Sequence, residues 1–186
     1  MTAAPLRPHE PGPGDLVTNQ DLDPEALRTA FGIFPSGVVA VAAEVGGRVV
    51  GLAASSFTSV SLEPPLVSVN LARTSQTWPH LRRAPHLGVT VLAGHHAAVC
   101  RQLAGPSEAR FEGVDHVVDE DGAVFLPDGL AQFDCTVERE VEAGDHVLVL
   151  LRLHALRHAE HHETGDPLVF HRSTVARRLA PGSSGG

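Results

Sequence analysis

The chain has 186 residues and a mass of 19.6 kDa, with 42% hydrophobic and 19% charged residues; one domain of that size buries a real core, which excludes a disordered acidic chain. Its formal net charge of −8 argues against nucleic acid or an anionic membrane as the main partner, since both attract basic patches. No apolar run approaches the roughly 18 residues of a membrane-spanning helix, no basic-then-apolar leader is visible, and two cysteines (Cys100 and Cys135) make no disulfide framework, so the expected compartment is the cytoplasm.

All fourteen basic residues are Arg, and Tyr is absent. A Schiff-base lysine and a catalytic phenol are therefore excluded. Residues 1–20, punctuated by Pro5, Pro8, Pro11 and Pro13, read as a mobile arm, and 181–186 as a flexible Gly/Ser tail. The folded body is expected over 21–180.

Asp23-Pro24-Glu25 has the form of a helix start, with Asp as N-cap and Pro in the first turn. Leu27, Ala30, Phe31 and Phe34 follow at helical spacing, and Pro35 stops the helix. Val38–Val45 and Arg48–Val50 flank Gly46-Gly47, a strong hairpin signal. The small, polar run Ser55–Ser61 ends at Pro64-Pro65, and Leu66–Leu71 alternates as a strand. A short helix is predicted around Trp78 (Thr77–Arg83), a strand over Leu87–Leu92 and a helix over His95–Leu103. Phe133–Val141 and His146–Leu156 form a second hairpin, in which Val147–Leu151 is apolar enough to be buried on both faces. Leu168–His171 is a last short strand. Strands dominate and do not alternate regularly with helices, so the expected fold is mainly β, a barrel with short peripheral helices.

Twelve histidines raise the question of a metal. His158, His161 and His162 with Glu160 and Glu163 are the densest cluster, but the segment reads as a polar loop, and the adjacent His95 and His96 are expected to point apart. No metal site is assigned, and both cysteines read as buried apolar residues. The chain lacks Gly-x-Ser-x-Gly, Gly-x-Gly-x-x-Gly and P-loop motifs, so a bound phosphate would be held by hydroxyls, backbone N–H groups and Arg. Two segments offer such groups. Ala53–Ser59 has small side chains that admit a flat ring and hydroxyls for its polar edge, and Arg73–Thr77 adds a guanidinium and hydroxyls at a helix start. Composition alone favours the plainer readings, a Ser/Thr-rich strand edge for the first and an ordinary helix cap for the second.

The runs Phe34-Pro35-Ser36-Gly37-Val38-Val39-Ala40-Val41 and Gly51-Leu52-Ala53-Ala54-Ser55-Ser56-Phe57-Thr58-Ser59-Val60-Ser61-Leu62-Glu63-Pro64-Pro65, followed by Arg73–Trp78, Arg110-Phe111-Glu112-Gly113-Val114, Gly144-Asp145-His146 and Pro167–Arg172, resemble the short-chain flavin reductase family. The likeness covers about residues 24–179. It implies an FMN-binding split β-barrel, a homodimer with flavin at the interface, FMN or FAD as cofactor, NADH or NADPH as hydride donor, and delivery of reduced flavin to a partner flavin-dependent monooxygenase. The apolar residues Phe57, Val60, Trp78 and Phe170 would be covered by the second subunit.

By the same resemblance, Ser36, Gly37, Val38, Ala53, Ala54, Ser55, Ser56 and Phe57 would line the isoalloxazine ring. Ser61, Asn70, Leu71, Ala72, Ser75 and Thr77 would sit near the ribityl chain and phosphate, with Arg73 as a further partner. His146 would lie beside the nicotinamide as the catalytic residue, with His171 and Arg172 helping to hold NAD(P)H. One departure stands out: the family's last motif continues with Gly and an aromatic residue, whereas Arg172 is followed here by Ser173-Thr174-Val175. Two alternatives keep the fold: a retained flavin acting directly on an organic substrate, and a flavin-binding protein without reductase activity.

Overall fold

The Asp23 carboxylate accepts hydrogen bonds from the Glu25 and Ala26 N–H groups at 2.8 and 2.7 Å, and Pro24 occupies the first turn. These two features set the start of helix α1, Pro24–Gly32. The protein is a computed structural model that describes residues 22–158, 165–172 and 174–177. The calls on 1–20 and 181–186, and those on His161, His162, Glu160 and Glu163, lie outside the described residues. Helix α1 ends three residues before Pro35, and its apolar stripe does not pack inward: Phe31 and Phe34 are 71% and 76% exposed.

The first hairpin pairs β2 (Val39–Val45) with β3 (Arg48–Ala54) across Gly46-Gly47. Both glycines have positive φ, +59° and +74°, which a two-residue turn of the right twist requires. The short β1 (Ser36–Gly37) precedes it. A second hairpin joins β4 (Thr58–Leu62) to β5 (Pro65–Ala72); Pro65 is tolerated because it is the strand's first residue. The four-residue α2 (Trp78–Leu81), β6 (Leu87–Val91) and α3 (Ala97–Leu103) follow. A small hairpin of β7 (Val117–Val118) and β8 (Val124–Phe125) precedes two long strands, β9 (Ala131–Ala143) and β10 (His146–His158). Strand β11 (Leu168–His171) lies between β1 and a further strand, β12 (Thr174–Arg177), in a three-stranded sheet.

The main sheet has the order β3-β2-β6-β9-β10-β5-β4 and is antiparallel throughout. Alternate residues from six of its strands meet in one core: Val39 and Val41, Leu52, Val67 and Val69, Leu87 and Val89, Cys135, and Val149 and Leu151. The sheet is therefore curled around its own interior. Its edge strands β3 and β4 do not pair with each other among the described residues, so the barrel is split.

A second cluster covers the outer face of β2 and β6. Val38 and Ala40 pack there with Leu92, Cys100, Leu103, Val114, Leu126 and Leu168. This covering is tight enough to demand glycine. A Cβ at Gly51 would lie 2.8 Å from the Phe111 ring and 2.7 Å from the Ala42 Cβ, and one at Gly88 would lie 2.1 Å from the Val124 carbonyl oxygen.

Three expectations are corrected. Val147–Leu151 is not buried on both faces: Val149 and Leu151 are fully enclosed, while Val147, Leu148 and Leu150 are half-buried, because the second cluster does not extend over β10. Trp78 is not surface: at 5% exposure it belongs to the barrel core, since α2 plugs the barrel with Trp78 and Leu81. His95 and His96 do not point apart. Their ring centroids are 4.0 Å from each other, because the His96 ring folds back until its Nδ1 accepts the Ala93 N–H at 3.1 Å. Its Nε2 then carries the hydrogen and donates to the Pro127 carbonyl at 2.9 Å.

Candidate active site

A cavity of about 750 Å³ opens where the ends of β3 and β5 meet the start of β10. Leu52, Ala53 and Ala54 at the end of β3 lead into Ser55 and Ser56, and Asn70, Leu71 and Ala72 end β5 opposite. Ser56 ties the two walls together: its hydroxyl accepts the Asn70 N–H at 2.9 Å and donates to the Asn70 carbonyl at 3.0 Å. The Ser55 hydroxyl and the Asn70 side-chain amide have no hydrogen-bond partner among the described residues, so both can serve a ligand.

His146 stands at the mouth. Register places it opposite Ala72, and the Arg73 N–H donates to the Asp145 carbonyl at 2.9 Å, which holds the hairpin tip against the end of β5. The hairpin turns at Gly144, whose φ of +63° suits glycine. His146 Nδ1 lies 2.7 Å from an Asp145 carboxylate oxygen. That contact holds the Asp145 carboxyl below its usual range and orients the ring, leaving Nε2 for a ligand.

The opposite wall comes from the segment after α3. Phe111 packs over Gly51, and this brings Arg110 into the cavity. Arg110 Nε donates to the Gly105 carbonyl at 2.9 Å, and Nη1 donates to the Gly51 carbonyl at 3.1 Å and the Thr77 hydroxyl at 2.7 Å. Nη2 has no partner, and no carboxylate pairs with this guanidinium, among the described residues. Burial pulls its pKa below the ordinary arginine value. A half-buried cation with no carboxylate in contact favours an anionic ligand.

Of the predicted residues, the cavity gathers Ala53, Ala54, Ser55, Ser56, Asn70, Leu71, Ala72, Ser75 and His146. The Ser75 hydroxyl accepts from the Thr77 and Trp78 N–H groups at 3.3 and 3.2 Å, so it caps α2 while its own hydrogen stays available. The others lie elsewhere. Thr77 is buried and engaged by Arg110. Arg73 faces a separate groove with Trp78, Arg82 and Glu140. Phe57 stacks on Phe133 at 5.9 Å, and Ser61 lies on β4. Ser36 and Gly37 pair with Phe170 and Val169, and Val38 is in the second cluster. His171 and Arg172 end β11 away from the cavity lining; Arg172 has a φ of +49°, and its N–H meets the Gly32 carbonyl. Arg110 is a charged cavity-lining residue that the sequence reading does not assign to the site. The motif Arg110-Phe111-Glu112-Gly113-Val114 marked it, but only the packing of Phe111 on Gly51 shows where its charge goes.

Comparison with known proteins agrees with this architecture. Residues 31–178 match the Flavin reductase like domain. A probable flavin reductase of Rhizobium meliloti (strain 1021) is 39% identical over 144 residues, 77% of this chain and 46% of that protein. The reductase subunit of stachydrine N-demethylase from the same organism is 39% identical over 136 residues, 73% of this chain and 59% of that subunit. The chain thus spans about half the length of these two curated relatives. The structure of the Streptomyces globisporus C-1027 NADH:FAD oxidoreductase in complex with NAD and FAD fragments superposes with a TM-score of 0.79 at 31% identity, covering 92% of this chain and 100% of that one. On the domain match and these likenesses, the chain belongs to the flavin reductase-like domain family.

Proposed function

We propose that the protein is an NAD(P)H:flavin oxidoreductase that takes hydride from NADH or NADPH, passes it to FMN or FAD, and supplies reduced flavin to a partner flavin-dependent monooxygenase. One observation carries the reading: a single cavity combines small side chains, free amide and hydroxyl groups and an unpaired guanidinium, in a chain of this family.

The residues fit a flavin nucleotide. Ala53 and Ala54 leave room for a flat ring against the β3 backbone, Ser55 and Asn70 offer hydrogen bonds to its polar edge, and Arg110 supplies the charge that a phosphate needs. Bound there, a flavin supplies a two-electron acceptor. The chain's own part is positioning: the strand ends fix one ring, and His146 at the mouth, oriented by Asp145, stacks on or hydrogen-bonds to the nicotinamide amide. An open, hydroxyl-lined site gives the moderate affinity that a flavin released to another enzyme requires.

The finer statements belong to the same reading. A homodimer would cover the exposed Phe31, Ile33, Phe34, Val60 and Leu62. A monooxygenase partner is supported by the relative described as a reductase subunit of an N-demethylase. No helix among the described residues is long and apolar enough to cross a membrane. A reductase that draws on NAD(P)H would work in the cytoplasm, where that donor is regenerated.

The test follows absorbance at 340 nm with purified protein, NADH or NADPH, and excess FMN or FAD. Rapid oxidation that saturates with free flavin is expected, and the preferred pair emerges at once. No oxidation with any pairing would overturn the assignment.

A further inference from the structure

The Arg110 guanidinium is held before any ligand arrives. An arginine side chain carries five N–H hydrogens, and the protein itself takes three of them here. Nε donates to the Gly105 carbonyl at 2.9 Å, and Nη1 gives one hydrogen to the Gly51 carbonyl at 3.1 Å and the other to the Thr77 hydroxyl at 2.7 Å. The hydrogens on Nη2 have no partner among the described residues. A guanidinium grips an oxyanion with a fork, either Nε with Nη2 or Nη1 with Nη2. Each fork already has one prong taken, so Nη2 alone is left for a ligand.

Of the three acceptors, the Thr77 hydroxyl is the one that belongs to a side chain, and it makes the shortest bond. Its mount is rigid. The Thr77 N–H donates to the Ser75 hydroxyl at 3.3 Å, and the Thr77 carbonyl accepts the His80 and Leu81 N–H groups, each at 3.1 Å, where α2 begins. Thr77 is 3% exposed, and its β-branched side chain has few rotamers to choose from. It is not among the residues that line the first cavity, whereas Arg110 is.

We infer that Thr77 is a positioning residue: its hydroxyl fixes the Arg110 guanidinium in the ligand-free protein, so that Nη2 meets the phosphate of a flavin without further ordering. The inference rests on the reading above of Arg110 as the partner of that phosphate. Holding a long side chain in place beforehand spares the entropy of ordering it on binding. Offering one nitrogen instead of a fork keeps the grip moderate, as a released flavin requires.

The test is a double-mutant cycle read by flavin fluorescence, with riboflavin as the ligand that lacks the phosphate. Thr77→Val keeps the branched shape and removes the hydroxyl. It is expected to raise the FMN Kd about tenfold and to leave the riboflavin Kd unchanged, while Thr77→Ser stays close to the wild type. In the Arg110→Met background, Thr77→Val is expected to add nothing. Where Arg110→Met itself weakens FMN binding, three outcomes overturn the inference alone: an equal loss from Thr77→Val in both backgrounds, an equal loss for riboflavin, or FMN bound by Thr77→Val as tightly as by the wild type or more so. An Arg110→Met variant that binds FMN as the wild type does overturns the reading of the cavity, and the inference with it. The wild type supplies an answer that does not depend on the folding of any variant. In heteronuclear NMR of the arginine side chains, the Arg110 Nη1 hydrogens are expected as resolved, slowly exchanging signals without ligand, and FMN is expected to shift the Nη2 signals while leaving those of Nη1 in place. Guanidinium signals averaged by rotation until FMN binds overturn the inference.

Discussion

The two sides of the barrel are finished differently. Strands β2 and β6 are covered twice, by the interior core on one face and by α3, the 104–127 segment and β11 on the other. Strands β10 and β5 are packed on one face only, with outer residues such as Leu148 and Leu150 half-buried, and β4 is exposed along most of its length, Val60 and Leu62 included. The covered side holds the fold, and the cavity lies where that covering stops. Arg110 belongs to both: the covering segment carries it, and it lines the cavity on the open side.

This contrast breaks most severely where the covering is tightest. Gly88→Val puts a side chain into the Val124 backbone, which cannot move aside without dislodging β8, so a stability loss of about 3 kcal/mol or more is expected in urea unfolding. Leu150→Ala, on the once-covered side, serves as the contrast and is expected to cost far less. Comparable losses would dissolve the distinction.

Next in size is the group shared by both sides. Arg110→Met keeps much of the side chain's bulk and removes the charge. Flavin affinity is expected to fall about 10- to 100-fold, the worth of a charge-assisted hydrogen bond, as read by fluorescence titration. Unchanged affinity would remove Arg110 from the site.

A smaller effect concerns pH. Burial lowers the His96 pKa below its ordinary value, so the folded state holds the ring neutral while the unfolded chain protonates it near pH 6.5. The contribution is present in full above the unfolded pKa and is lost as pH falls from about 6.5 through the folded value. Protonation would also turn Nδ1 from the acceptor of the Ala93 N–H into a donor. The wild type should therefore lose stability between pH 7.5 and 5 more steeply than His96→Gln, as measured by urea midpoints. Parallel curves would contradict this. Any contribution from His86, whose pKa is raised by its hydrogen bond to Asp134, is present below its unfolded value and fades as pH rises through the folded one, so it runs the other way.

The least effect is expected on the solvated hairpin face. Arg152 makes two hydrogen bonds to the Glu138 carboxylate, at 2.8 and 3.0 Å, but both side chains are 36% exposed. Glu138→Gln should leave the urea midpoint almost unchanged, and added salt should shrink the difference further.

Local signals placed most of the strands. Gly46-Gly47 and Gly144-Asp145 mark hairpins because a two-residue turn has few permitted conformations, and Asp23-Pro24 marks a helix start because the free N–H groups need an acceptor. Strands β7, β8 and β12 left no clear mark: they run only two to four residues, too short for a period. Within the site, the Ala53–Ser56 wall was legible because small and polar residues cluster there, whereas Asn70–Ala72 and His146 were marked only by the family resemblance.

The sequence by itself determined the mainly β class, the hairpins, the family and about half of the cavity lining, since each rests on adjacent residues or on a motif. Only the tertiary structure decided which way each side chain faces across distant strands. It drew Trp78 into the core, left Val38 behind the sheet, and carried Arg110 to Gly51, 59 residues away in sequence. A guanidinium's role depends on what surrounds it, and that surrounding is assembled by packing alone.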